Sequence, residues 1–224
     1  RVAPVGIIVI ALTSTFAAFD WLMGLEPSWF STIFGVNFFA DCIVSLFAVS
    51  SLILLGLRRA GHLGELVNKE HFHDLGKLLF GFLVFWAYVN FSQFMLIWYA
   101  AIPEETTYYH LRWGSAGWQV VTMAIVFGHF VVPFFFLLSR NVKRALPYYG
   151  VGCAIVVLFH FVMVYWLVMP YYAPNHLSLH WLDLTCLMAV GGVYASLVFY
   201  RMSRGELVAI KDPRLSRAVE FVNA

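Results

Sequence analysis

The stretch LLFGFLVFWAYVNFSQFMLIWYAAI, residues 78–102, decides the fold class. It carries no charged side chain, and a helix needs roughly 20 predominantly apolar residues to cross the ~30 Å hydrocarbon core of a bilayer. Similar runs lie on either side of it. Together the predicted spans cover residues 3–25, 33–57, 75–102, 117–139, 148–170 and 180–200. The sequence therefore predicts an all-α integral membrane protein, with a six-helix transmembrane domain over residues 1–200 and a tail over residues 201–224.

The composition supports this class and excludes several others. The chain is 62% hydrophobic and 12% charged, whereas soluble domains carry about 25% charged residues. The cysteines Cys42, Cys153 and Cys186 are far apart and form no Cys-x-x-Cys pair, which argues against a zinc site or an iron–sulfur cluster ligated by cysteines of this chain. There is no phosphate-binding glycine motif. We expect membrane lipid around the chain, and no nucleotide or nucleic acid bound to it.

The basic residues indicate the orientation. Of the 14 lysines and arginines, all but Arg112 fall on one side of the predicted topology, and an excess of Lys and Arg in short loops marks the cytoplasmic side. Both visible termini should therefore be cytoplasmic, and the basic tail should lie as a helix on the membrane surface. The outer loops combine acidic residues with aromatic side chains expected to form an interfacial belt: Trp29, Trp113, Trp118, Tyr108, Tyr109, Tyr171 and Tyr172.

Two carboxylates lie at membrane depth, where ionisable groups are costly and seldom accidental. Asp20 is ~8 Å from the outer end of the first span, and Asp41 is ~12 Å below the same surface. Each shares its helix face with small or polar residues, and such faces turn inward. We expect both carboxylates in the outer half of one bundle. Two interpretations stay open: hydrogen bonding to a neighbouring helix, or proton transfer or ligand binding.

The third span carries polar groups near its middle, namely Tyr88, Asn90 and Gln93. Asn90 and Gln93 are three residues apart and lie near one face. Side-chain amides need partners in lipid. They can serve as interhelical contacts or hold a chain of water molecules.

Two histidines, His129 and His160, are predicted near the bilayer midplane, within ~5 Å of one another in depth. Imidazole titrates near neutrality, so the pair suits a proton relay. It also suits the axial ligation of a b-type haem, and either residue can be satisfied structurally.

The entrance of the third span carries His71-Phe72-His73-Asp74. Such a cluster can bind a metal, but Asp74 is also placed to cap a helix that begins at Leu75. We expect the cap and no metal site, with His73 and Asp74 able to collect protons. On the outer side, Glu104 and Glu105 are expected to be solvated or to dock a partner.

Two stretches carry a resemblance to a known family: DWLMGLEPSWFSTIFGVNFFA at 20–40 and HDLGKLLFGFLVFWAYVNFSQFMLIWYAAIPEET at 73–106. They resemble the second of the two polysulfide-reductase-like (NrfD-like) membrane subunits of bacterial alternative complex III, a quinol:electron-acceptor oxidoreductase. These stretches cover about 55 residues in detail. The remainder of the chain resembles the family only in its topology.

The resemblance implies a ten-span subunit built from two four-helix bundles. The six visible spans would be its C-terminal part, which agrees with a chain that starts at Arg1. Its partners would be a sister NrfD-like subunit, a multihaem cytochrome c and an iron–sulfur protein in the bacterial inner membrane. The haem c and iron–sulfur clusters would belong to those partners, with no cofactor held by this chain. Quinol oxidation is expected mainly at the sister subunit, and a quinone bound to this chain is left open.

The expected function is that of a membrane subunit that contributes a proton path or a quinone-facing surface and scaffolds the partners. We assign it no catalytic residue. The candidates for the proton path are His73, Asp74, Tyr88, Asn90, His160 and His129 in the cytoplasmic half, and Asp20, Asp41, Gln93 and Glu26 in the outer half. The alternatives are a purely structural scaffold, a secondary transporter and a b-haem anchor. Pro133 alone interrupts a span, and this disfavours the transporter.

Overall fold

The computed structural model describes residues 3–63, 66–208 and 212–220, and this part of the chain is helical throughout its regular structure. The first half contains α1 (Ala3–Trp21), a 3₁₀ turn (Met23–Leu25), α2 (Phe34–Arg59), α3 (Lys69–Ala100) and α4 (Pro103–Trp113). The second half contains α5 (Ala116–Ile125), a π segment (Val126–Val131), α6 (Val132–Leu138), α7 (Arg140–Arg144), α8 (Leu146–Tyr172), α9 (Trp181–Arg204) and α10 (Leu215–Val219).

Six stretches of helix in the described chain are long and apolar enough to cross a membrane, as the sequence predicts. They are Ala3–Leu25, Phe34–Arg59, Lys69–Ala100, Ala116–Leu138, Leu146–Tyr172 and Trp181–Arg204. The fourth of these joins α5, the π segment and α6 into one span. The all-α class and six apolar helices of membrane-spanning length are thus confirmed for the described residues.

The centre of the bundle is α2, which packs against α1, α3 and α8. Small side chains on its inner face allow these close approaches, and Ala40, Val44 and Ala48 are completely buried. Where α1 meets α2, a Cβ added to Gly35 would lie 2.4 Å from Cγ2 of Thr15. The span from α5 to α6 packs against α8 and α3 and closes the bundle.

The third span begins earlier than predicted. Helix α3 starts at Lys69, and its N-cap is Asn68, whose side-chain oxygen accepts from the backbone N–H groups of Glu70 and His71. The expected cap by Asp74 is therefore wrong. Asp74 lies one turn inside the helix and pairs with Lys77 at 2.6 Å. The polar residues before Leu75 extend the helix past the apolar part of the span, so hydropathy alone did not include them.

The segment that follows the third predicted span forms a further helix, α4, which the predicted spans do not include. Pro103 occupies its first turn together with Glu104 and Glu105, and its last turn carries Arg112. Each of these positions favours a helix: proline suits the N-terminus, and the charges suit the helix dipole. Hydropathy did not identify this helix, because the segment is too polar to cross a membrane.

Part of the expected aromatic belt belongs to the protein core. Trp29 is buried and donates from Nε1 to the carbonyl of Glu105 at 3.1 Å, while its ring stacks on Tyr108 at 4.1 Å. Trp118 is also buried and donates to the carbonyl of Ala173 at 2.9 Å. These rings join the outer ends of the helices, so composition alone assigned them wrongly to the interface. Exposed aromatic residues do remain at this end, among them Trp113 and Tyr172.

Two spans present most of their surface outwards. Only Ala18 of α1 is buried, and no residue of α9 is buried within the described chain. The face of α1 that carries Asp20 is not turned into this bundle, since Thr13, Asp20 and Gly24 are not among the buried residues and Asp20 is exposed. The expectation that Asp20 and Asp41 share one interior is therefore wrong for this chain.

Candidate functional site

A buried carboxylate in α2 lies between two imidazole rings. Oδ2 of Asp41 is 2.9 Å from Nδ1 of His160, and Oδ1 of the same carboxylate is 3.0 Å from Nε2 of His129. Asp41 is 2% exposed, His129 is completely buried, and His160 is 17% exposed at its side chain. We call these three residues the carboxylate–imidazole cluster. The sequence placed both histidines at a similar depth, and in the structure they meet at one carboxylate.

The two imidazoles are held differently. His160 forms a hydrogen bond with Asp41. His129 is within ion-pair distance, but its N–H does not point along a hydrogen-bond direction, and neither of its ring nitrogens has a hydrogen-bond partner among the described residues. Its ring instead meets Trp86 edge-on, with 4.4 Å between the ring centroids. Nε2 of His129 nevertheless lies at hydrogen-bond distance, 3.0 Å, from Oδ1 of Asp41.

His129 lies on the π segment, a six-residue wide turn within the fourth span. Such single-turn insertions are rare and occur frequently at functional sites. The wide turn changes the direction in which side chains leave the helix. Gly128 allows the turn to sit against α8, because a Cβ added there would lie 2.0 Å from Cζ of Phe159. His129 follows Gly128 in the sequence, and His160 follows Phe159. The close packing of Gly128 on Phe159 therefore brings the two histidines near each other.

The chemistry of the carboxylate–imidazole cluster follows from its charge. An ionised carboxylate is strongly disfavoured in a low-dielectric interior unless it is paired. One imidazolium beside Asp41 makes the cluster electrically neutral and lets both carboxylate oxygens accept hydrogen bonds. The cluster then holds one proton more than an ionised aspartate with two neutral histidines. This proton can reside on either ring. A site that stores and passes on a proton needs two such positions.

An amide chain lies one turn nearer the outer end. Nδ2 of Asn90 donates to Oδ1 of Asn37 at 3.1 Å, and Nδ2 of Asn37 donates to Oε1 of Gln93 at 3.4 Å. Asn37 therefore links α2 to α3 and gives both predicted amides of the third span a partner. It lies four residues before Asp41 on the same helix face, so the amide chain and the carboxylate–imidazole cluster are neighbours on α2.

A cavity of ≈ 10 Å³ adjoins both sets of residues and is lined by Phe34, Asn37, Phe38, Asp41, Met163 and Leu167. This is about the smallest volume that admits one water molecule, and a buried water needs polar partners. Asn37 and Asp41 provide such partners. The cavity thus offers a position for a water molecule between the amide chain and the carboxylate.

A second polar group lies towards the basic end of the bundle, the end that carries Arg58, Arg59 and α7. Ser51 and Tyr149 are buried and hydrogen-bond through their hydroxyls at 2.8 Å. Ser51 lies ~15 Å along α2 from Asp41. His73 is also buried at this end, with no hydrogen-bond partner for its Nδ1 among the described residues.

The other predicted residues lie apart from the carboxylate–imidazole cluster. Tyr88 is 67% exposed on the outer surface of α3, and Asp20 is exposed on α1. Glu26 accepts a hydrogen bond from Ser28 within the outer turn. Asp74 pairs with Lys77 near the basic end.

The histidine nitrogens that face Asp41 are not placed as the two axial ligands of one haem iron. Two axial ligands must present nitrogens to the opposite faces of one iron, whereas the nitrogens of His129 and His160 nearest the cluster both contact Asp41. The described residues also contain no group of three or more His, Cys, Asp or Glu placed to hold a metal ion. At the entrance of α3, Nδ1 of His71 lies 2.8 Å from Oδ1 of Asn68, and Asp74 pairs with Lys77.

Sequence reasoning missed several members of these groups. Asn37 shares the face of Asp41 four residues away, a signal that could have added it to the site. Trp86, Ser51 and Tyr149 gave no such signal, because an aromatic ring or a serine in an apolar run usually only packs. Their roles depend on which helices are neighbours.

Comparison with known proteins adds no assignment. No protein-family model matches the chain, and no curated protein matches it. The function must therefore be argued from the residues and from their geometry.

Proposed function

We propose that this chain is a membrane subunit of a quinol:electron-acceptor oxidoreductase of the alternative complex III type, and that it carries protons through the carboxylate–imidazole cluster. The observation that carries the proposal is the burial of one carboxylate between two imidazoles at membrane depth. Such groups are expensive in a membrane and are usually functional. A purely structural contact would need only one donor for Asp41, whereas here both of its oxygens face a histidine.

In this mechanism the proton arrives on the cluster at His160, the more exposed of the two rings. It passes through Asp41 to His129, whose partner Trp86 restrains the imidazole without binding its nitrogens. Rotation of His129 and rearrangement of a water molecule beside Asn37 then deliver the proton towards the outer end. No step requires a bound cofactor in this chain.

On the basic side, the entrance comprises His73 and the hydroxyl pair of Ser51 and Tyr149. A proton that moves from this pair to Asp41 must cross ~15 Å of mostly apolar packing, so the path needs transient water molecules. The basic end is taken as cytoplasmic because of its excess of lysine and arginine. In this orientation the bacterial inner membrane would separate His73 from the outer turn of Glu26.

The two stretches that carry the family resemblance meet in the structure. Trp29 of the first stretch donates to the carbonyl of Glu105 in the second, and Asn37 of the first binds Asn90 and Gln93 of the second. They therefore form one continuous region next to the cluster. This juxtaposition supports their use as one functional unit. The family resemblance implies that haem c and iron–sulfur clusters are held by partner subunits of the complex, and we include this in the proposal.

We also propose that further helices of the subunit, four in a ten-span arrangement, or a sister NrfD-like subunit cover α9 and α1. The support is the exposure of both helices within the described chain. The same observation favours a second candidate function, a structural scaffold without a proton path. A scaffold requires the outward surfaces but gives no use to the carboxylate–imidazole cluster.

The two functions are separated by replacing Asp41 with Asn in the assembled complex. We expect quinol turnover and proton release to fall at least tenfold, with the complex still assembled. Asp20→Asn is the matched control, because it makes the same substitution in a span of the same chain whose carboxylate lies outside the carboxylate–imidazole cluster, and it should leave both rates unchanged. Unchanged turnover and proton release in an assembled Asp41→Asn complex would reject the proton path and leave the scaffold.

A further inference from the structure

A groove of ≈ 300 Å³ opens at the basic end of the bundle, between the last residues of α2 and the first residues of α8. It is lined by Leu55, Arg58, Arg59, Leu146 and Pro147. Its walls combine two guanidinium groups with three apolar side chains. It lies far from the carboxylate–imidazole cluster, and the proposed proton path does not use it.

The depth of the groove is fixed by the lengths of its helices. α2 has 26 residues and α8 has 27, so each is about 40 Å long and exceeds the ~30 Å hydrocarbon core. The groove is built from the terminal residues of both helices. It therefore lies at the level of the lipid headgroups, where a phosphate meets the start of its acyl chains.

The arginines offer positive charge at this level. Nη1 of Arg58 donates to the carbonyl of Val67 at 2.9 Å, and its guanidinium lies 6.0 Å from the ring centroid of Phe72, so this side chain is oriented before any ligand arrives. Arg59 is exposed. No carboxylate of the described residues lies within 4.0 Å of either guanidinium, although such pairs occur elsewhere in the described chain. Guanidinium groups bind phosphate oxygens through paired N–H donors.

An apolar track continues from the groove along α8. Pro147, Val151 and Leu158 lie within about 40° of one another around the helix at 100° per residue. Val151 and Leu158 are 54% and 59% exposed, so acyl chains can lie against them. A lipid whose phosphate lies in the groove can therefore place its acyl chains along this face of α8.

We propose that the groove binds one anionic phospholipid, with its phosphate on Arg58 and Arg59 and its acyl chains along the exposed face of α8. The charge selects an anionic headgroup such as phosphatidylglycerol over a zwitterionic one. The adjoining apolar track selects a lipid over a free phosphate. This proposal does not depend on the proton path, and either one can fail alone.

The test measures lipid binding to the full chain, purified in detergent, by native mass spectrometry. The probes are dioctanoyl phosphatidylglycerol, dioctanoyl phosphatidylcholine and glycerol phosphate at equal concentrations. Arg59→Gln should weaken binding of phosphatidylglycerol about fivefold, which corresponds to the ~1 kcal/mol that one basic residue contributes beside an anionic membrane surface. Arg58→Gln/Arg59→Gln should weaken it further. Circular dichroism checks that each variant keeps its helix content.

The matched control is Arg201→Gln, which removes an exposed arginine at the end of α9, outside the groove. It should bind phosphatidylglycerol as the wild type does, and phosphatidylcholine and glycerol phosphate should bind the wild type more weakly. Equal affinity for phosphatidylglycerol in wild type and Arg59→Gln would overturn the proposal. So would glycerol phosphate binding as tightly as the lipid, since the acyl chains would then contribute nothing.

Discussion

Replacing Gly128 with alanine should separate the two histidines without touching either of them. A Cβ at this position would lie 2.0, 2.2 and 2.3 Å from Cζ, Cε1 and Cε2 of Phe159, whereas carbon atoms in contact are about 3.5–4.0 Å apart. The ring must therefore move by roughly 1.5 Å. Because Phe159 immediately precedes His160, the part of this movement that the backbone of α8 takes up would stretch the 2.9 Å contact between His160 and Asp41.

The energetic cost can be bounded from the same geometry. Overpacking of a well-packed interior costs about 1–3 kcal/mol, and each kcal/mol lowers Tm by about 2–4 °C in chains of 150–250 residues. We expect Tm to fall by roughly 2–12 °C and proton release in the assembled complex to fall with it. The assay combines thermal melting of the purified protein with turnover at a temperature where both proteins are folded.

Two further variants make this test specific. Gly81→Ala is the matched control, since a Cβ at Gly81 has nothing within 4 Å, and it should keep the wild-type Tm or raise it. Phe159→Leu combined with Gly128→Ala should recover part of the loss, because leucine lacks the outer ring atoms. A Gly128→Ala protein with wild-type Tm and proton release would refute the view that this contact holds the π segment in register.

Three further predictions concern other parts of the chain. Arg112 is buried in α4, with its guanidinium 3.6 Å from the ring centroid of Tyr108 and a hydrogen bond to the carbonyl of Leu167. Arg112→Met should destabilise the protein by about 2–4 kcal/mol, because charge-assisted hydrogen bonds and stacking are lost. This is measured as a fall in Tm, which the control Arg201→Gln should not show. Asn37→Leu should cost about 1–3 kcal/mol for each amide left unpaired, seen by melting, whereas Ser45→Ala on the same helix should have little effect. Burial is the main cause that lowers the pKa of Lys143 below its ordinary 10.5, and repulsion from Lys77 is the second. Between the two pKa values the folded state therefore binds fewer protons than the unfolded state. Tm should thus rise with pH towards 10.5 in the wild type, relative to Lys143→Met. Parallel pH profiles of the two proteins would contradict this last expectation.

The sequence alone predicted the features that depend on length and composition. Each span could be recognised because a run such as residues 78–102 is too long and too apolar for a soluble domain. Depth could also be estimated from the helix rise, which placed His129 and His160 at similar levels. Their contact with Asp41 depends on the rotation of three helices about their axes, and a rise per residue does not provide this information.

The errors have the same physical origin. Asp20 has small neighbours on its helix face, as Asp41 has, yet only the face of Asp41 is covered by α3 and α8. The π segment could not be predicted from the sequence, because its place against α8, where Gly128 lies opposite Phe159, depends on which helices are neighbours. In contrast, α4 carried readable signals in Pro103, Glu104 and Arg112, and was missed only because hydropathy reveals membrane-spanning runs and not short polar helices.

In the proposed function the carboxylate–imidazole cluster holds one exchangeable proton, and the nitrogen resonances of its histidines test this most directly. The full chain contains 8 histidines, so the signals of ¹⁵N-labelled protein are assigned with His129→Gln and His160→Gln. We predict that one of these two rings is an imidazolium, because a buried carboxylate needs a paired charge, and that Asp41→Asn converts it to neutral imidazole, while Asp20→Asn leaves it charged. Two neutral rings in the wild type, or an imidazolium that persists in Asp41→Asn, would contradict the account.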